Sequence, residues 1–173
     1  MEPVLIREAT EADVPALAQL HVKTWIATYP GVRSPPTYEI RERQWREAFG
    51  TRDGSWFCFV VEDASGQLIG FVKGKRYDHP DLPDFSAELN KIYLLQEHQR
   101  RGLGRRLVGH VARRFLDEGR VSMVVFSEPD NPSCRFYEAL GAGRILAGNG
   151  EFHGTYGWRD LRKLAPICPI DPR

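Results

Sequence analysis

The feature that most constrains the fold is a strand-like segment, a glycine-containing turn and a long amphipathic helix that follow one another directly. Residues 87–94 read as a strand, residues 99–104 are Gln-Arg-Arg-Gly-Leu-Gly, and residues 102–118 place apolar side chains along one side of a helix. The apolar run 121–126 then predicts a buried strand. Because a strand–helix–strand crossover joins parallel strands, the sequence predicts an α/β fold with a mixed sheet.

The other segments predict the remaining elements of one domain. Their hydrophobic periodicity and turn residues predict helices at 14–25, 37–49 and 133–140 and strands at 4–7, 56–61, 67–77, 143–147 and 156–161. A chain of 173 residues would give two small cores if it were divided. We therefore expect a single domain over residues 1–165, followed by a C-terminal extension at residues 166–173.

Composition and charge exclude several classes of protein. Hydrophobic residues make up 42% and charged residues 27%, which favours a globular chain over a disordered one. The most concentrated apolar run, 56–61, is far shorter than the roughly 20 residues that span a bilayer. The N-terminal segment lacks the apolar block of a signal peptide. We therefore expect a cytoplasmic protein with no membrane partner.

The cysteines and histidines do not form a recognisable framework. The three cysteines are an odd number without a close pair, and the five histidines are scattered without ligand spacing. This pattern disfavours both a disulfide framework and a metal site. We expect Cys58 to lie in the core, and Cys134 to be a small buried residue in preference to a reactive thiol.

The turn at residues 99–104 is a candidate anion site. Glycines let main-chain N–H groups approach an anion, and the first turn of a helix adds unpaired donors and a favourable dipole, so a pyrophosphate fits there. A Walker loop is excluded because arginines follow the second glycine, and a Rossmann fingerprint because Leu107 occupies the place of the third small residue. A glycine-started helix with a solvated arginine face is the alternative.

The sequence resembles the GNAT acetyltransferases at several points, in the right order. Residues 99–104 satisfy the family's Gln/Arg-x-x-Gly-x-Gly/Ala motif, residues 88–94 are similar to its central strand, and residues 131–141 resemble its second cofactor motif. Residues 6–13 and 156–161 are also similar to members of the family. The resemblance implies a mixed, mostly antiparallel sheet of about seven strands with a splayed central parallel pair and four helices.

The resemblance also implies acetyl-CoA as the cosubstrate, with no metal. The main chain of a splayed strand can pair with the pantetheine amides, as in β-augmentation. The implied cofactor-binding residues are Ile92, Tyr93 and Leu94 for the pantetheine, Gln99, Arg100, Arg101, Gly102, Leu103, Gly104 and Arg105 for the pyrophosphate, and Asn131 for the pantetheine. Asn131 lies one residue closer to Tyr137 than in many family members, so Asp130 is the alternative at that position.

Two residues are implied to be catalytic. Tyr137 is the candidate acid for the departing thiolate, because a phenol can donate a proton near neutral pH; the alternative is that it packs or orders the thioester. Glu88 is the candidate base, acting through a water; the alternatives are a structural carboxylate paired with an arginine and loss of the proton to solvent. A main-chain N–H near Tyr93 or Leu94 would meet the oxyanion.

The acceptor is the least constrained part of the prediction. Trp25 and Tyr29 are candidate acceptor-binding residues, with a place in the core as the alternative for Trp25. Asp78, Asp81 and Asp84 slightly favour a cationic acceptor, although a solvated loop explains them equally well.

The resulting functional prediction is an N-acetyltransferase acting on a primary amine of a small molecule or peptide, with a possible homodimer. The alternative is a catalytically weak acetyl-CoA-binding or sensing module. A nucleic-acid partner is disfavoured, because the net charge is only +1 and the arginine cluster at 100–114 lacks interleaved aromatic residues.

Overall fold

The computed structural model describes residues 3–170. Their helices and strands follow the order expected from the sequence. The elements are β1 (Leu5–Glu8), α1 (Val14–Thr28), α2 (Tyr38–Gly50), β2 (Trp56–Glu62), β3 (Leu68–Arg76), β4 (Ala87–Leu94), α3 (Leu103–Asp117), β5 (Met123–Phe126), α4 (Ser133–Ala139), β6 (Gly143–Leu146) and β7 (Phe152–Trp158). In this part of the chain no helix is long and apolar enough to cross a membrane.

The strands form one seven-stranded mixed sheet in the order β1-β2-β3-β4-β5-β7-β6. The predicted parallel pair is β4 and β5, in which Ala87 pairs with Met123 and Glu88 with Val124. The pairing ends there, although both strands continue. Strands β1 and β2, β5 and β7, and β6 and β7 are antiparallel pairs. The fold class expected from the sequence is therefore confirmed.

The chain divides into two compact units, of which the first contains the described residues up to Lys73 together with Lys91–Gly104. Helix α1 packs against α2. Leu17 of α1 is fully buried, and His21 is 2% exposed. Arg7 on β1 donates hydrogen bonds to both carboxylate oxygens of Asp13 at 2.8 and 2.7 Å, and it also pairs with Glu62. These contacts fix the start of α1 against the first strands.

The second unit contains Gly74–Asn90 and the described residues from Arg105 onward. Helix α3 buries the apolar side predicted from its periodicity, with Leu107, Val111 and Phe115 fully buried. Residues 161–164 form a short 3-10 helix, and Cys168 is buried after it. A Cβ atom at Gly109 of α3 would overlap the Cys168 carbonyl oxygen, so residues near 168 pack closely on this helix. A separate extension at 166–173 stays a prediction; residues 171–173 lie outside the described part.

Three predicted strand boundaries differ from the structure by two or more residues. Strand β7 begins at Phe152, four residues before the prediction, because Phe152 pairs with Leu146 and Thr155 with Phe126. It ends at Trp158, because Asp160 accepts a hydrogen bond from the Arg162 N–H at 3.1 Å and caps the following 3-10 helix. Strand β5 begins at Met123 in place of Val121, whose side chain is exposed.

The cysteines are all buried thiols in the described residues. Cys58 lies in the core as predicted, and burial raises its pKa to about 12. Cys134 is also buried, as predicted, and its Sγ donates to the Glu128 carbonyl at 3.4 Å. Among residues 3–170 no group of three or more His, Cys, Asp or Glu side chains is placed to hold a metal ion.

Candidate active site

The turn at residues 99–104 adopts a geometry suited to an anion. Arg100 and Gly102 both have left-handed backbones, with φ of 61° and 82°. Left-handed residues in short turns direct successive N–H groups into an anion-binding concavity, and glycine adopts this conformation without a Cβ penalty. The Gln99 side-chain amide donates to the Leu94 carbonyl at 3.1 Å and ties the turn to the end of β4. The exposed turn therefore fits a phosphate group.

The end of β4 is held firmly against its neighbours in the first unit. The Tyr93 ring lies 5.4 Å from that of His21 and 5.5 Å from that of Phe71. A Cβ atom at Gly70 of β3 would overlap the Leu94 side chain and lie 3.1 Å from the Tyr93 carbonyl oxygen. Gly70 therefore permits the close approach that positions the main chain of residues 93–94.

Glu88 is a buried carboxylate with two polar partners. Asn90 Nδ2 donates to its Oε1 at 2.7 Å, and Lys75 Nζ lies 3.0 Å from its Oε2. The Glu88 side chain is only 8% exposed, whereas that of Lys75 is 44% exposed. Asn90 and Lys75 therefore orient the Glu88 carboxylate. The alternative role predicted for Glu88 was a structural ion pair with an arginine, whereas the ion pair in the structure is with a lysine. The role of Glu88 as a base stays a prediction.

Tyr137 lies on α4 in a buried aromatic group of the second unit. Its ring centroid is 6.0 Å from that of Tyr156 and 6.1 Å from that of Trp158, at interplanar angles of 52° and 89°. The Tyr156 hydroxyl donates to Glu138 Oε1 at 2.8 Å. Burial, together with this hydrogen bond, raises the pKa of Tyr156 to about 12. The packing fixes the orientation of the Tyr137 ring, and Tyr156 is a neighbouring phenol that the sequence prediction missed.

The Asn131 side chain forms a local turn with Ser133, the first residue of helix α4. Its Oδ1 accepts hydrogen bonds from the Ser133 N–H at 2.9 Å and from the Ser133 hydroxyl at 2.7 Å. Asp130 and Asn131 both line a cavity of about 490 Å³, which Arg135 and Tyr156 also line. Either of the two predicted pantetheine-binding positions is therefore next to open space, and the Oδ1 atom of Asn131 is committed to the helix.

Sequence and structure comparisons identify the family of this chain. The acetyltransferase (GNAT) family matches residues 15–142. The chain belongs to the GNAT acetyltransferase family. As a GNAT protein it is an acetyl-CoA-dependent N-acetyltransferase. It is 32% identical to the uncharacterized N-acetyltransferase YuaI of Bacillus subtilis over 95% of this chain and 98% of that protein.

A second relative agrees with this assignment to the GNAT family, and a solved structure shows a similar fold. The chain is 30% identical to phosphinothricin N-acetyltransferase of Streptomyces viridochromogenes over 98% of its own length and 94% of the relative. Its fold is similar to the crystal structure of spermidine N-acetyltransferase from Vibrio cholerae in complex with CoA and spermine, with a TM-score of 0.65 and 19% identity. That match covers 93% of this chain and 97% of the other.

The candidate acceptor residues of this GNAT enzyme lie together at the end of α1. The Trp25 and Tyr29 rings are 5.0 Å apart with an interplanar angle of 43°. Trp25 and Tyr29 are both half-buried, so the structure leaves open both acceptor contact and a place in the core for Trp25. The pair presents a partly exposed aromatic surface, and its contact with an acceptor stays a prediction.

A polar cavity beside Tyr93 was missed by the sequence prediction. Its lining includes His21 of α1, Trp45 of α2 and Lys91 of β4. These residues are far apart in the sequence, and no motif links them. The histidines are scattered along the chain without ligand spacing, so nothing in the sequence indicated that His21 would line a cavity.

Proposed function

We propose that this GNAT enzyme transfers the acetyl group of acetyl-CoA to a primary amine of a small molecule or peptide, by direct attack within a ternary complex. The left-handed backbone at Arg100 and Gly102 carries the proposal, because it provides the concave turn that a pyrophosphate requires. One relative is named for acetylating phosphinothricin, and one protein of similar fold is named for acetylating spermidine. Both acceptors are amines, which supports amine acetylation.

The proposed binding residues follow the predicted motif. The main chain of Ile92, Tyr93 and Leu94 pairs with the pantetheine amides, and residues 99–105 hold the pyrophosphate. Asn131 or Asp130 contacts the pantetheine; the cavity that both line supports this assignment. Trp25 and Tyr29 contact the acceptor through their aromatic faces.

The proposed chemistry forms an N–C bond and breaks the C–S bond of the thioester that acetyl-CoA supplies. Glu88 accepts the proton lost by the amine, through one water. Tyr137 donates its phenolic proton to the departing thiolate. A main-chain N–H of Tyr93 or Leu94 donates to the carbonyl oxygen as negative charge develops on it. The fixed orientations of Glu88 and Tyr137 support these roles.

The proposal is tested by mixing the purified chain with acetyl-CoA and a panel of amines and following the release of free thiol. The panel includes phosphinothricin and spermidine, amino acids, and peptides with free N-termini. We expect thiol release that depends on one class of acceptor, together with a mass increase of one acetyl group on that acceptor. Tight binding of acetyl-CoA without thiol release for any acceptor would support the sensing module, and an absence of acetyl-CoA binding would overturn both.

A further inference from the structure

A positively charged cavity of about 250 Å³ lies within the first unit, among α1, α2, β3 and β4. Its lining contains three cationic side chains, Arg41, Lys73 and Lys91, and the described lining residues include no Asp or Glu. The volume is several times the roughly 30 Å³ that one water occupies. The cavity therefore has room for a carboxylate or a phosphoryl-type group.

Three buried polar atoms of the lining have no hydrogen-bond partner within residues 3–170. They are Nδ1 of His21, Nε of Arg41 and Nε1 of Trp45. The His21 and Trp45 residues are only 2% and 4% exposed. An indole N–H and a guanidinium N–H can only donate hydrogen bonds, so a ligand that satisfies them must be an acceptor. Since buried polar groups in native proteins are almost always paired, three such atoms on one cavity indicate a binding site.

Two of the cations lining this cavity contact neutral groups. Arg41 Nη1 donates to Gln44 Oε1 at 2.9 Å. Lys73 Nζ lies 4.4 Å from the centroid of the Trp56 ring and 5.4 Å from that of the Trp45 ring. Burial, and then the positive charges of Arg41 and the two lysines, lower the pKa of His21 to about 3. The imidazole is therefore neutral near pH 7, and the local potential favours an anion.

We infer that this cavity binds the anionic group, a carboxylate or phosphoryl-type group, of the amine that the enzyme acetylates. The inference rests on the proposed function. The Tyr93 ring contacts His21 of the cavity at 5.4 Å, and the main chain of Tyr93 belongs to the segment proposed to meet the thioester. An anion bound here thus lies beside that strand, and a purely cationic polyamine is disfavoured. This reverses the slight preference for a cationic acceptor that the loop aspartates suggested.

The first arm of the test measures anion binding without turnover. The full chain is titrated with acetate and with inorganic phosphate in excess coenzyme A, which occupies the turn at 99–105. The four tryptophans give indole N–H signals, and Trp45→Phe assigns the one that belongs to the cavity. We expect a saturable shift of that signal. Arg41→Gln should weaken the binding by about tenfold or more, because a charge-assisted hydrogen bond is lost.

A matched control comes from the same helix. Arg43 of α2 has a 70% exposed side chain, and its ion pair with Glu47 spans 4.0 Å. Arg43→Gln removes the same charge away from the cavity and should leave anion binding unchanged. Equal binding by Arg41→Gln and Arg43→Gln, or no shift of the Trp45 signal in the wild-type chain, would overturn the inference.

The second arm separates an acceptor group from a free anion. The KM of an amino acid is compared with that of its carboxamide, in which a neutral group replaces the carboxylate, at equal concentrations of unprotonated amine. We expect a KM about tenfold lower for the acid, lost in Arg41→Gln and kept in Arg43→Gln, with the affinity for acetyl-CoA unaltered. If the cavity binds anions but the amino acid and its amide have equal KM values, the cavity is a site for a free anion. That result would overturn the assignment of the cavity to the anionic group of the acceptor. No turnover of any amine would instead refute the proposed function, while the first arm still reports on the cavity.

Discussion

Replacing Gly102 by alanine tests the left-handed turn directly. A Cβ atom at Gly102 would meet nothing within 4 Å, so the substitution adds no steric overlap. The expected energetic penalty comes from the backbone alone. The φ of Gly102 is 82°, and the left-handed conformation costs an L-residue about 1–2 kcal/mol. The perturbation is therefore conformational and confined to one residue of the turn.

The cost of Gly102→Ala must appear in one of two measurements. If the free protein keeps the left-handed turn, the free energy of unfolding falls by about 1–2 kcal/mol and the Kd for coenzyme A is unchanged. If the free turn relaxes, stability is retained and the Kd rises about fivefold to thirtyfold, because binding must restore the strained backbone. The two losses, from chemical denaturation and from calorimetry, should add up to about 1–2 kcal/mol.

Gly50→Ala is the matched control for this substitution. Gly50 ends α2, has equally open space around it, and does not have a left-handed φ. Alanine there should leave the Kd unaltered and leave stability equal or raise it by up to about 1 kcal/mol. If Gly102→Ala behaved like Gly50→Ala in both measurements, the reasoning that links a left-handed turn to phosphate binding would be wrong.

Three further predictions use other parts of the structure. Gly154→Ala should lower the free energy of unfolding by about 3 kcal/mol in denaturant titrations, because its Cβ would overlap the Ser127 carbonyl, whereas Gly148→Ala should not. Tyr137→Phe should reduce kcat by about 10²–10⁴-fold, with the Kd of acetyl-CoA unchanged in calorimetry; an unchanged kcat would limit this ring to packing. For His21, a folded pKa of about 3 lies below the unfolded value, so the unfolded state binds more protons between these values and stability falls as pH drops from about 6.5 to about 3. Chemical denaturation across that pH range should show a smaller loss of unfolding free energy in His21→Gln than in the wild-type protein. An equal dependence of unfolding free energy on pH in both proteins would contradict the lowered pKa of His21.

The central part of the fold was predictable because local signals agree there. Strand β4 was predicted with the bounds that the structure has, since its alternating residues follow a proline-containing loop and precede the glycine turn. Strand β7 was misplaced, because its start is set by pairing with β5 and β6, which lie elsewhere in the sequence. Hydrophobic pattern alone does not encode such long-range register.

The candidate site was predictable only where a motif is continuous. Residues 99–104 form their left-handed turn from consecutive positions, so glycine spacing indicates it. The partners of Glu88 include Lys75 on another strand, and the cavity lining draws on four separate elements. Contacts of this kind depend on tertiary packing, and a single sequence gives no spacing from which to infer them.

The close approach of the chain around Cys168 to Gly109 has a practical consequence. The main chain at Cys168 packs directly against α3 at Gly109. Truncating the chain shortly before Cys168 would therefore expose this face of α3 to solvent. Shortened versions of the protein for crystallisation or immobilisation should therefore keep this segment intact and untagged.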